Sequence, residues 1–186
     1  MCYNAGMSKN ILLHVTGSIS AYKACALTSL LTKNGYNVRV MPSKDSLQFV
    51  GAASYEGISH NKVETEMFGN NDPIPHIHIA QNWADLIMVY PASANCINRM
   101  ASGLADDLFG ATFLANNFEK PVLIAPAMNT NMFRHPAVQE SLKKLESWGC
   151  KILPCGEGEL ACGTTGVGRL LEPLDAFQFI EESFNK

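Results

Sequence analysis

No part of this 186-residue sequence clusters lysine and arginine, and its 14 basic side chains are outnumbered by 17 acidic ones, for a formal net charge of -3. A nucleic-acid partner needs a basic face to displace counterions from phosphates, so none is expected. A small anion held by backbone amides stays compatible with this balance. Missing as well are an apolar run near the roughly 20 residues that cross a bilayer and a basic segment leading into an apolar one at the N-terminus. The expectation is a cytoplasmic protein with no membrane partner. The six cysteines form no C-x-x-C pair, and a chain of this size in a reducing compartment needs no disulfide staples, so most are expected as free thiols. Internal repeats and low-complexity segments are absent.

What is present is a packed-protein composition, 47% hydrophobic and 17% charged, in a length that suits one domain. Residues 1–9 are expected as a disordered lead-in and 10–186 as a single domain. Apolar runs at Asn10 to Val15, Tyr36 to Met41, Ala84 to Tyr90, Lys120 to Ala125 and Cys150 to Leu153 read as strands, two of them closed by Pro91 and Pro126. Helical patterns run over Ile19 to Lys33, Lys44 to Val50, Ile79 to Trp83, Ala94 to Ala101, Leu104 to Asn117, Pro136 to Trp148, and from Pro173 towards Phe184. Strands alternating with helices imply an α/β, three-layer, Rossmann-like or flavodoxin-like fold with a parallel β-sheet between helices. Gly156 to Gly168 is the one glycine-rich stretch and is expected to be a mobile loop.

Ligands of parallel sheets bind beyond the carboxyl ends of the strands, and three unusual segments leave those ends. Thr16-Gly17-Ser18-Ile19 precedes a helix, where small residues let amides approach a phosphate; a plain tight turn is the competing reading. Ser43 is a phosphate or ribityl contact or simply a helix cap. Pro91-Ala92-Ser93-Ala94-Asn95 leaves room for a flat ring, or caps a helix with nothing bound. Pro126 to Met132 puts two amides and two methionines where charged helix formers are usual. Asn129 there can bond a carboxylate without the positive charge that would oppose loss of carbon dioxide. His76-Ile77-His78 opens a helix, which favours the neutral imidazole a general base needs; no third ligand at useful spacing makes it a metal site. Cys162, in the glycine-rich stretch, is a thiol able to deliver a proton, or an unremarkable unpaired loop cysteine.

In this order the segments resemble the homo-oligomeric flavin-containing cysteine decarboxylases. The matches are Thr16 to Lys23, the histidine helix with Trp83-Ala84-Asp85, Pro91 to Asn95, Gly103 to Leu108, Pro126 to Met132, and Leu160-Ala161-Cys162-Gly163 with Gly166, Gly168 and Arg169. The resemblance implies FMN held by Gly17, Ser18, Ile19, Ser43, Ser93, Ala94, Asn95, Cys96 and Ala127. It also implies a histidine base, substrate contacts from Asn129, Met132 and Ala161, a catalytic role for Asn129, and Cys162 as proton donor. The implied reaction oxidises the cysteine side chain to a thioaldehyde, which lets the carboxylate leave, and then returns the hydride. Cys162 favours phosphopantothenoylcysteine of the coenzyme A route as substrate over a peptide C-terminal cysteine, whose decarboxylases stop at the ene-thiol. A non-catalytic regulatory flavoprotein is the reading of another class, and the presence of both histidine and cysteine speaks against it. Homotrimers, alone or grouped into dodecamers, and a separate ligase enzyme are further implications.

Three departures from the family pattern stand out. The family spacing from histidine to Trp-Ala-Asp is one residue shorter than from His76 and one longer than from His78; His-Ile-x-Ile favours His76 as the base. Phe133 replaces another aromatic, and Gly110 stands where a hydroxyl residue is common.

Overall fold

The computed structural model describes residues 8–68, 72–159, 163 and 165–185. Strands β1 (Asn10–Val15), β2 (Asn37–Pro42), β3 (Leu86–Ala92), β4 (Val122–Pro126) and β5 (Lys151–Ile152) form one parallel sheet in the order β2-β1-β3-β4-β5. Helices α1 (Tyr22–Lys33), α2 (Ala52–Ser59), α3 (Pro75–Ile77, continued by a π-helical turn over His78–Trp83), α4 (Ala94–Ala101), α5 (Leu108–Asn116), α6 (Thr130–Arg134), α7 (Pro136–Ser147) and α8 (Pro173–Phe184) fill the connections. This is the expected flavodoxin-like α/β architecture.

Side chains of a strand alternate between faces, and here both faces are covered. Leu12, Ile87, Val89 and Ile124 pack with Ile97, Phe109, Phe113 and Leu145 from α4, α5 and α7. Leu13, Leu86, Met88 and Leu123 pack on the opposite side with Leu27, Leu31, Tyr55 and Ile180 from α1, α2 and α8. Burial on both sides is why the strands read as unbroken apolar runs.

Three local differences from the expectations have physical causes. Helix α2 was not expected: its sequence, AASYEGIS, has little amphipathic contrast, and only Tyr55 and Ser59, four residues apart, are buried. Helix α5 begins at Leu108 rather than Leu104, because Asp107 is its N-cap and accepts the Gly110 N–H at 2.7 Å. The glycine-rich segment is largely a ribbon, not a mobile loop: β6 (Gly156–Glu159) and β7 (Thr165–Arg169) pair antiparallel, with Gly158 opposite Gly166. A ladder of backbone hydrogen bonds needs no apolar side chains, and here glycine permits close docking. An ideal Cβ on Gly168, whose φ is +122°, would lie 2.3 Å from the Met128 carbonyl oxygen. The Met128 N–H donates to the Gly168 carbonyl at 3.0 Å, and Thr130 Oγ1 donates to the Val167 carbonyl at 2.9 Å. The ribbon therefore rests on the segment that follows β4.

Candidate functional site

The chain leaves β1 for β2 on one side and reaches β3 on the other, so the strand order reverses between β1 and β3. Connections diverge at such a point and leave a crevice at the carboxyl ends. Thr16 sets its geometry: its buried Oγ1 donates to the Pro91 carbonyl at 2.7 Å and accepts the Ser93 N–H at 2.8 Å. The first turn is thereby tied to the start of α4.

A cavity of about 660 Å³ opens at this crevice, within the size range of small-molecule sites. Its walls are Thr16 and Gly17, Pro42 to Asp45 after β2, Ser93 to Cys96 at the start of α4, Leu104 and Asp106 to Gly110 around the start of α5, and Met132 of α6. Six of the residues expected to hold a cofactor therefore share one wall system: Gly17, Ser43, Ser93, Ala94, Asn95 and Cys96. Ser43 and Ser93 are also caps, as the simpler reading had it, accepting the N–H of Ser46 at 3.2 Å and of Cys96 at 3.3 Å. Capping and lining are compatible, because a cap sits where a helix N-terminus meets the cavity.

Other expected residues lie around the cavity rather than on its wall. Ser18 Oγ accepts the Ser20 N–H at 3.3 Å, Ile19 is 64% exposed, and Ala127 is buried with its N–H on the Ala92 carbonyl at 3.0 Å. Asn129 is the N-cap of α6, its Oδ1 accepting the Asn131 N–H at 2.8 Å. Ala161 and Cys162, like Met1 to Met7, lie outside the described residues. His76 is half-buried on α3 and does not line the cavity of its own chain. The two histidines of that segment differ: His76 Nδ1 is buried with no hydrogen-bond partner, whereas exposed His78 places Nδ1 2.8 Å from Asp72 Oδ2.

Three cavity residues escaped the sequence reading as site residues. His14, on β1, is buried against Phe109, with ring centroids 3.6 Å apart and planes 4° from parallel. Burial lowers its pKa to about 4, against smaller opposing effects of the Met41 carbonyl and Asp107, so the ring is neutral near pH 7. The signal was one histidine, two positions after Leu12, interrupting the apolar run from Ile11 to Val15. Arg99 binds Asp106 and, at 2.8 Å, Asp107, so its charge is met by carboxylates. Thr16 stands out in the sequence only as part of the turn. Burial also pushes the Cys96 thiol up to about 12, aided by Asp107, so it stays protonated.

The residues fit an elongated ligand with one anionic end. None of the backbone N–H groups of Gly17, Ser18 and Ile19 donates to an acceptor among the described residues, and consecutive free amides of this kind bind anions. Gly17 is required at the turn, since an added Cβ would lie 2.8 Å from Asp45 Cβ. Gly110, the departure noted above, is enforced in the same way: a Cβ there would lie 2.4 Å from the Leu104 carbonyl oxygen. Among the described residues no three His, Cys, Asp or Glu side chains group as a metal site, and no helix is long and apolar enough to cross a membrane.

The chain is similar to the coenzyme A biosynthesis bifunctional protein CoaBC of Bacillus subtilis, 43% identical over 178 residues. That match covers 95% of this chain but 43% of the relative, so the chain spans less than half of that protein. The probable phosphopantothenoylcysteine decarboxylase of Streptococcus mutans is 40% identical over 178 residues, covering 95% of this chain and 99% of that one. A solved PPC decarboxylase mutant complexed with pantothenoylaminoethenethiol superposes with a TM-score of 0.88 at 29% identity, over 96% of this chain and all of the other. The flavoprotein family model matches residues 3–185, which takes in the first turn, the cavity and the ribbon together, and the chain belongs to that family.

Proposed function

We propose that this chain is an FMN-dependent decarboxylase that converts 4'-phosphopantothenoylcysteine to 4'-phosphopantetheine. One observation carries the reading. The ribbon whose connecting segment holds Cys162 is bonded through Gly168 and Val167 to Met128 and Thr130, on either side of Asn129. The strands that flank the Cys162 segment in sequence are thus docked on the segment that carries Asn129, the candidate carboxylate binder. FMN itself is supported by the strand order 2-1-3-4-5, in which flavodoxin-like proteins bind that cofactor at the switch between β1 and β3.

In this reading the free amides of Gly17 to Ile19 hold the phosphate, while Ser43 and Ser93 to Cys96 line the body of the cofactor. When bound, FMN supplies a reversible two-electron acceptor, so the reaction needs no outside oxidant. Asn129 orients the substrate carboxylate with a neutral amide, and Met132 and Ala161 are further substrate contacts in this reading. His76 takes the proton of the substrate thiol, and Cys162 returns a proton at the end.

The π turn supports His76 over His78. The Ala84 N–H donates to the Ile79 carbonyl five residues back, at 2.9 Å. Such a turn holds one residue more than an α turn, which absorbs the residue by which His76 stands too far from Trp83-Ala84-Asp85. Because His76 lies off its own chain's cavity, it acts across a subunit interface in this reading, as expected of a homotrimer, alone or within a dodecamer. Cytoplasmic location and a ligase supplying the substrate complete the proposal.

The test is to release the flavin from purified protein, identify it by mass, and follow turnover of wild type and Cys162→Ser. The reading expects FMN, a saturated thiol from wild type, and an unsaturated decarboxylated product from the variant. Full turnover by Cys162→Ser removes the proton-donor role; a flavin-free protein without decarboxylation removes the whole reading.

A further inference from the structure

We propose that His14 is a ligand-binding residue of the cavity, presenting the lone pair of Nε2 to an uncharged hydroxyl or N–H donor of the bound flavin. The inference rests on the flavin reading above and adds to it a fixed hydrogen-bond acceptor for the body of the ligand.

Alternation along β1 puts Leu12 and His14 on the same face, and His14 ends on the cavity wall, only 4% exposed. Its Nδ1 lies 2.7 Å from the Met41 carbonyl oxygen. A carbonyl only accepts, so the proton sits on Nδ1. Burial keeps the ring from taking a second proton near pH 7. Nε2 therefore carries a lone pair, and it has no hydrogen-bond partner among the described residues. Stacking on Phe109, 3.6 Å away and nearly parallel, holds the ring in plane, while the Met41 bond fixes its rotation.

A fixed neutral acceptor discriminates. A lone pair repels a phosphate or carboxylate oxygen and welcomes a hydroxyl or ring N–H. The free donors of Gly17, Ser18 and Ile19 do the opposite. The two features thus set the ligand's direction: anionic end to the first turn, hydrogen-bond donors to His14. Flavins carry such donors on the ribityl chain and on the ring imide.

The test uses full-length protein labelled with 15N-histidine at pH 7, with the His14 signals identified by their absence in His14→Phe. Added FMN is expected to move the Nε2 signal upfield, towards the protonated range, and leave Nδ1 in place. Riboflavin, which lacks the phosphate, is expected to give the same shift, and inorganic phosphate none. His14→Phe keeps the stack on Phe109 without the acceptor and is expected to raise the FMN dissociation constant about fivefold to tenfold, the range of one net hydrogen bond. FMN binding with the Nε2 signal unmoved overturns the role of His14 and leaves the flavin reading standing. Movement with phosphate alone overturns the assigned polarity. Absence of FMN binding by wild type overturns both. The wild-type spectra decide the matter even if His14→Phe fails to fold.

Discussion

Thr16 reaches Ser93 across the sheet: its buried hydroxyl accepts the Ser93 N–H at 2.8 Å while donating to the Pro91 carbonyl at 2.7 Å. One side chain holds the ends of β1 and β3 at the separation that makes the cavity. Thr16→Val keeps the shape but leaves the Ser93 N–H without its acceptor and the Pro91 carbonyl with only the 3.3 Å bond from the Thr16 N–H. It is expected to cost about 1 to 3 kcal/mol in chemical denaturation and to weaken flavin binding. Thr16→Ser should recover most of both losses, which loss of packing alone would not allow.

Gly168 contributes through what it lacks. Its φ of +122° and the Met128 oxygen 2.3 Å from an added Cβ leave no room for alanine. Gly168→Ala is expected to undock the ribbon from Met128 and Thr130, and to lower decarboxylation much more than flavin affinity, since none of the ribbon's described residues lines the cavity. Parallel flavin titration and turnover assays check this split.

His14 makes stability depend on pH with a definite sign. The unfolded ring takes a proton near pH 6.5, but the folded one resists until about 4, with burial the main cause. Between those values the unfolded state binds more protons, so stability falls as the solution is acidified. At pH 5 the wild type should have lost about 2 kcal/mol, relative to pH 7, that His14→Gln does not lose. Urea unfolding of both proteins at the two pH values measures the difference.

His76 and His78 should separate cleanly. His76→Asn is expected to abolish turnover while leaving the flavin bound. His78→Asn should keep most activity, because it removes only an exposed contact with Asp72. Loss of activity in the second variant alone would transfer the base to His78.

The sheet was legible because β1, β3 and β4 at its centre are buried on both faces, so runs such as Ile11 to Leu13 and Leu86 to Tyr90 stand out as apolar whatever surrounds them. The strand ends were legible for a related reason: Gly17, Ser93 and Asn95 are too small or polar to belong to the strands. The ribbon was not, since glycines that pair through the backbone look like glycines in a loop. The π turn was hidden for want of a composition of its own; it showed only as a spacing one residue out of step. His14 was passed over because a lone polar residue in a strand carries no pattern, and its meaning depends on Met41, Phe109 and the cavity, which only the fold brings together.

The most direct measurement is to incubate purified, flavin-loaded protein with 4'-phosphopantothenoylcysteine, without added reductant or oxidant, and quantify carbon dioxide and thiol. The account expects equal amounts of carbon dioxide and saturated 4'-phosphopantetheine, with the flavin oxidised again at the end. An ene-thiol as final product would contradict the assigned reaction, and no carbon dioxide would contradict the account as a whole.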